Sequence, residues 1–123
     1  VMPNDGAAYD VPRQIAEGGR FMHDTYLQAF GTDPARQRAL SPSLQARAPN
    51  APAFLLIHVQ RPDGIAQAEA LEGALKEAGT RVERRDFPGE GLRGHAEINR
   101  QLGDPGYAAT SVVDDWLKTL FAR

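Results

Sequence analysis

Asp63 and His95 are the two residues of this chain whose types and positions could do acid–base chemistry together. Each follows a strand-like run: Asp63 lies in "QRPDG" after "AFLLIHV", and His95 lies in "EGLRGHAEIN" after "TRVERRDF". In open α/β sheets functional groups gather outside the carboxyl ends of the strands, where loops converge. A carboxylate bonded to an imidazole there holds its tautomer and stabilises the imidazolium that forms when the ring takes a proton. A serine nucleophile requires that of its partners. On the residues alone a plainer alternative stands beside this one. Asp63 would cap a helix beginning at Gly64, and His95 would be a solvated residue of a glycine-bearing loop.

The remaining candidates carry less. His58 ends the apolar run and reads as a hydrogen-bonded structural residue. His23 lies beside the apolar helix positions Met22 and Tyr26, and no acid–histidine spacing around it matches a metal site. Asp86 competes with Asp63 as the acid, but it ends an edge-like strand and reads as a solvated carboxylate. The serines are Ser41, Ser43 and Ser111, and none sits in a glycine-flanked strand-to-helix turn of the G-x-S-x-G kind. "PGEGLRG" has glycines without the G-x-G-x-x-G pattern of a phosphate cradle.

Positioning these residues requires strands and helices, and the text supplies both. Residues 53–59 are apolar almost throughout, as in a parallel strand covered on both faces. Ala68, Leu71, Leu75 and Ala78 follow with helical spacing, ending at Gly79. "TRVERRDF" predicts an edge strand, with Val82 and Phe87 its only apolar residues. Val113, Trp116, Leu117, Leu120 and Phe121 give a last helix a broad apolar face, with Ser111 and Asp114 resembling a capping box. Upstream, residues 13–30 read as helix divided at Gly18-Gly19 and ending at Gly31. Asn4-Asp5-Gly6 reads as a turn. Residues 32–52 predict a short helical turn between proline-bounded loops. The order strand, helix, strand, helix predicts an α/β layer with parallel strands and flanking helices. Three helical segments with apolar faces call for more sheet than two strands offer, so the sequence reads as part of a larger sheet.

Composition bounds the function classes. The 123 residues suit one domain, and 41% hydrophobic with 24% charged residues suits an ordinary globular protein. A net charge of −2 gives no electrostatic reason to expect nucleic acid or an anionic membrane. With no cysteine, disulfides and thiolate metal sites are excluded, and the compartment is left open. No apolar run approaches the roughly 20 residues of a membrane span, and no signal peptide is visible.

Taken in order, "SPSLQARAPNAPAFLLIHVQRPDG", "QAEALEGALKEAG" and "RVERRDFPGEGLRGHAEIN" resemble the C-terminal part of an α/β-hydrolase of the esterase/lipase type. Family members carry Ser-Pro before an apolar strand ending in His, an acid just beyond it, a helix, a strand and then Gly-His. By that resemblance Asp63 matches the triad acid and His95 the triad histidine. The upstream "DGAAYDVP" resembles the text that follows the strand after the nucleophile elbow, and residues 1–40 would be a cap-like helical segment. The chain departs from the pattern at His58-Val59, where His-Gly is usual, and its acid stands one residue later. The nucleophile elbow is absent, and so is the H-G-G-like oxyanion motif.

The resemblance therefore implies a partial α/β-hydrolase fold over residues 1–123. It would supply the acid and histidine of a serine hydrolase acting on small esters to a serine outside this chain. The isolated chain is expected to be inactive, to need no cofactor or metal, and to bind the N-terminal half of the domain or self-associate. Two alternatives stay open: a non-catalytic α/β-hydrolase-like binding or assembly domain, and an amidase or formamidase with the same triad.

Overall fold

The computed structural model describes residues 1–122. Strand β1 (Ala53–Gln60) lies beside β2 (Arg81–Glu90) in parallel, and helix α5 (Pro62–Glu77) makes the crossover between them. Helices α1 (Val11–Glu17), α2 (Arg20–Phe30), α3 (Pro34–Ala39) and α4 (Pro42–Gln45) precede β1. Helices α6 (Gly91–Gln101) and α7 (Ala108–Phe121) follow β2. The expected mixed α/β arrangement of parallel strands with flanking helices is thus present.

β1 is apolar at successive positions because both of its faces are covered. Ala53, Leu55, Ile57 and Val59 pack with Phe87, Ile98, Val113 and Trp116, joining the sheet to α6 and α7. On the other face Leu56 packs with Leu71 and Leu75 of α5, with Phe54 and Val82 beside them. Burying each such aliphatic side chain contributes about 1.5–3 kcal/mol, so β1 is where most of the burial energy meets. β2 is mostly charged and exposed, with Phe87 its one buried residue, as befits an edge strand.

β1 has a second strand-like neighbour that the sequence reading places in a turn. The Val1 amino group donates to the Ala53 carbonyl, Leu55 N–H to Val1 O, Ile57 N–H to Pro3 O, and Asp5 N–H to Ile57 O. Residues 1–5 therefore run beside β1 as a short parallel ladder, with Asn4 bridged to Ile57. Asp5 ends that ladder with φ 53°, a left-handed conformation that aspartate tolerates better than most residues.

Two further expectations change. The residues around His95 form helix α6 rather than a loop. Their glycines suggested a loop, but Gly94 serves a close approach. Register slips between His58 and Gln60, where β2 spends Phe87, Pro88 and Gly89 against Val59 alone. Gly89, at φ 122°, lies so near Gly94 that a Cβ on Gly94 would stand 2.6 Å from the Gly89 carbonyl carbon. Ser111 is interior to α7 rather than its cap, since the helix begins at Ala108 with Tyr107 at the N-cap. The division at Gly18-Gly19 and the end at Gly31 stand as expected, with Gly19 at φ 84° and Gly31 at φ 77°.

The close approach of α6 to β2 is open to test. Gly94→Ala is expected to lower stability by about 1–3 kcal/mol, because backbone rather than a mobile side chain must yield. Gly73→Ala, in open space within α5, is expected to raise it by about 0.5–1 kcal/mol. Urea unfolding followed by circular dichroism measures both; equal effects would remove the packing explanation.

Candidate functional site

The ladder of residues 1–5 brings the Asp5 carboxylate to the carboxyl end of β1, and a bend follows it. Asp5 is completely buried, at 0% exposure, and a bare carboxylate there would be costly. Its oxygens are met from three directions. Oδ1 accepts the Val59 main-chain N–H at 3.0 Å, and Oδ2 accepts Arg61 Nε–H at 3.0 Å. His95 Nδ1 lies 2.6 Å from that same Oδ2. Arg61 also donates from Nη2 to the Asp5 carbonyl at 2.6 Å.

Local sequence explains the bend. Tyr9 lies over Gly6, whose N–H donates to the Tyr9 hydroxyl at 3.0 Å. A Cβ on Gly6 would stand 2.5 Å from that oxygen, so the ring requires glycine there. Burial pushes the Tyr9 phenol above its ordinary value; the Gly6 N–H opposes this, Asp5 adds to it and Arg61 opposes it. Gln67, buried on α5, donates to the Asp10 carbonyl and accepts the Asp10 N–H, anchoring the start of α1.

His95 is carried into place by the first turns of α6. Its side chain is 41% exposed while its partner is fully covered. An ionised carboxylate only accepts, so Nδ1 is the donor, and a neutral ring in that geometry has its lone pair on Nε2. Both residues line a cavity of about 510 Å³ with Arg61, Asp63, Phe21 and Leu92. Met22 and Tyr26 from α2 complete its apolar side.

Asp63 lines that cavity too, but its hydrogen bond goes elsewhere. Its Oδ2 accepts Gln14 Nε2–H at 2.9 Å, and the same Gln14 amide donates to the Tyr26 hydroxyl at 3.2 Å. Asp63 sits in the first turn of α5, where the helix dipole favours a carboxylate. The structure therefore brings both expected residues to one cavity and gives His95 a different carboxylate, Asp5. Asp5 was missed because "NDG" reads locally as a turn, and only long-range pairing with β1 carries it to His95.

The other residues singled out fall away from this centre. His58 is buried, with Nδ1 3.0 Å from the Val59 carbonyl and Nε2 facing Arg84 Nη1 at 3.1 Å. Arg84 in turn pairs with Glu72 at 3.1 Å, so His58 belongs to a structural network. His23 lies near Asp24 at the surface, and Asp86 accepts from Gln60. Ser41 is buried, its hydroxyl donating to Gln37 O and accepting Val11 N–H. Neither it, Ser43 nor Ser111 lines the His95 cavity. Burial also raises the Tyr107 phenol, with Glu97 and Asp5 adding to the effect. Among the described residues no group of three or more His, Asp or Glu is placed to hold a metal ion, and no helix is long and apolar enough to cross a membrane.

No family model, no curated protein and no solved structure matches the chain.

The geometry makes a spectroscopic prediction. Long-range proton–nitrogen correlation spectra should show neutral His95 protonated on Nδ1, and Asp63→Asn should leave that signature intact. Asp5→Asn should abolish it and cost about 3–5 kcal/mol of stability, because it breaks a buried charge pair. A His95 ring protonated on Nε2 in the native chain would contradict the assignment.

Proposed function

We propose that this chain is the C-terminal part of a serine hydrolase of the α/β-hydrolase esterase/lipase type. In this reading His95 is the general base and Asp5 the carboxylate that orients it. The observation that carries the reading is the 2.6 Å contact between His95 Nδ1 and a fully buried carboxylate. It leaves Nε2 as the acceptor at the cavity, the arrangement a hydroxyl nucleophile needs.

In the assembled site Nε2 would take the serine proton as oxygen attacks the ester carbonyl, and return it to the departing alcohol. Asp5 would stay ionised and stabilise the imidazolium between those events. The apolar flank formed by Phe21, Met22, Tyr26 and Leu92 suits the hydrocarbon part of a small ester. Donors for the tetrahedral oxyanion, usually the largest catalytic contribution, would come with the nucleophile from another segment.

Features of the fold support such a complement. Phe21, Leu92 and Phe121 are large apolar residues left exposed. Residues 1, 3 and 5 spend their main-chain bonds on β1, so Met2 and Asn4 present theirs to the opposite edge of the ladder. A further strand could pair there. An N-terminal half of the domain is the proposed occupant.

The test uses the native polypeptide that carries this segment and a fluorophosphonate probe. Labelling is expected on a serine other than Ser41, Ser43 or Ser111, with none on the 123-residue chain alone. His95→Gln and Asp5→Asn should each slow ester turnover by about 10⁴-fold, whereas Asp63→Asn should change it less than about tenfold. An unlabelled native polypeptide, or His95→Gln with full activity, would end the hydrolase reading. A larger loss from Asp63→Asn than from Asp5→Asn would return the orienting role to Asp63.

A further inference from the structure

Arg61 stands in a place that its own helix disfavours. It is the N-cap residue of α5, where the helix dipole repels a cation. Its guanidinium lies against the first turn, 3.4 Å from where a Gly64 Cβ would be. Its side chain is only 12% exposed. What holds it there is Asp5, gripped at both Oδ2 and the main-chain carbonyl. The planar fork of the guanidinium makes these two contacts in different directions.

We infer that Arg61 is a positioning residue that keeps His95 uncharged, by supplying the cation that the buried Asp5 carboxylate requires. A carboxylate removed from water needs a compensating charge, and two groups touch Asp5 Oδ2 that could provide it: Arg61 and His95. With Arg61 in place the requirement is met, and His95 can donate from Nδ1 while remaining neutral. Only a neutral imidazole has a lone pair with which to accept a proton. Without Arg61, His95 is the remaining cation, and its value as a base is lost at neutral pH.

The other charges around His95 do not take this role. Asp63 lines the cavity from α5 and is held by Gln14. On α6 itself Arg93 and Glu97 pair with each other at 3.3 Å. Tyr107, beside α7, is an uncharged phenol at neutral pH, since its titration is displaced upward. Arg61 and Asp5 thus set the charge state of the ring between them. The role as a helper to catalysis rests on the hydrolase reading; the charge compensation rests on geometry alone.

The test compares His95 ring-nitrogen shifts at neutral pH in the native chain and its variants. In Arg61→Met His95 should be doubly protonated, and in Arg61→Lys, which keeps the charge, it should stay neutral. A folded Arg61→Met with neutral His95 overturns the inference, and so does an Arg61→Lys with charged His95. If Arg61→Met does not fold, the double variant Asp5→Asn with Arg61→Met decides. Folding of the double variant supports charge compensation, and failure of both means that Arg61 acts by packing. In the native polypeptide, Arg61→Met should slow serine labelling at least tenfold at neutral pH and recover as pH is raised. Absence of labelling in the unmodified polypeptide would count against the hydrolase reading and leave the spectroscopic result standing.

Discussion

A carboxylate with no access to water must be surrounded by donors, and the site is organised by how Asp5 meets that demand. Its donors come from the main chain of β1, from the start of α5 and from α6. Val59 and Arg61 are two positions apart, whereas Asp5 and His95 come from opposite ends of the sequence, and packing around β1 brings them together. Each hydrogen bond to a charged group contributes about 1.5–3 kcal/mol net, and losing one would leave part of a buried charge exposed to no partner. The same demand that stabilises the fold thereby orients the imidazole.

The rest of the structure delivers those donors. β1 buries one face against α5 and the other against α6 and α7, so its carboxyl end is held from both sides. Gly89 and Gly94 let α6 close onto the end of β2. That approach sets where His95 begins on its helix. On the other side Tyr9 over Gly6 and Gln67 against Asp10 hold the segment that carries Asp5. Substitutions at these glycines would shift the imidazole without touching it.

What was legible in the sequence follows from the range of the interactions. β1 showed itself through an unbroken apolar run and α5 and α7 through helical spacing, because burial on one or two faces writes a local pattern. His95 was legible from its place after a strand. The helix around it was not: "GLRGHAEIN" has few apolar residues, and glycines that serve close packing look the same in sequence as glycines that serve a turn. Asp5 was illegible for a different reason. Its partner is 90 positions away, and no local rule connects an Asn-Asp-Gly turn to a histidine across a sheet. Asp63, by contrast, stands just past the end of β1, where the sequence pointed, and it lines the same cavity but is bonded to Gln14. Sequence position found the neighbourhood, and three-dimensional pairing chose the carboxylate.

The claim on which this account turns is that Asp5 and His95 are energetically joined. A double-mutant cycle with Asp5→Asn and His95→Phe, read by urea unfolding at neutral pH, measures that directly. The account predicts a coupling of about 1 kcal/mol or more, since residues sharing a hydrogen-bond network depart from additivity by about 0.5–3 kcal/mol. Effects that add to within about 0.3 kcal/mol, as distant sites do, would contradict it.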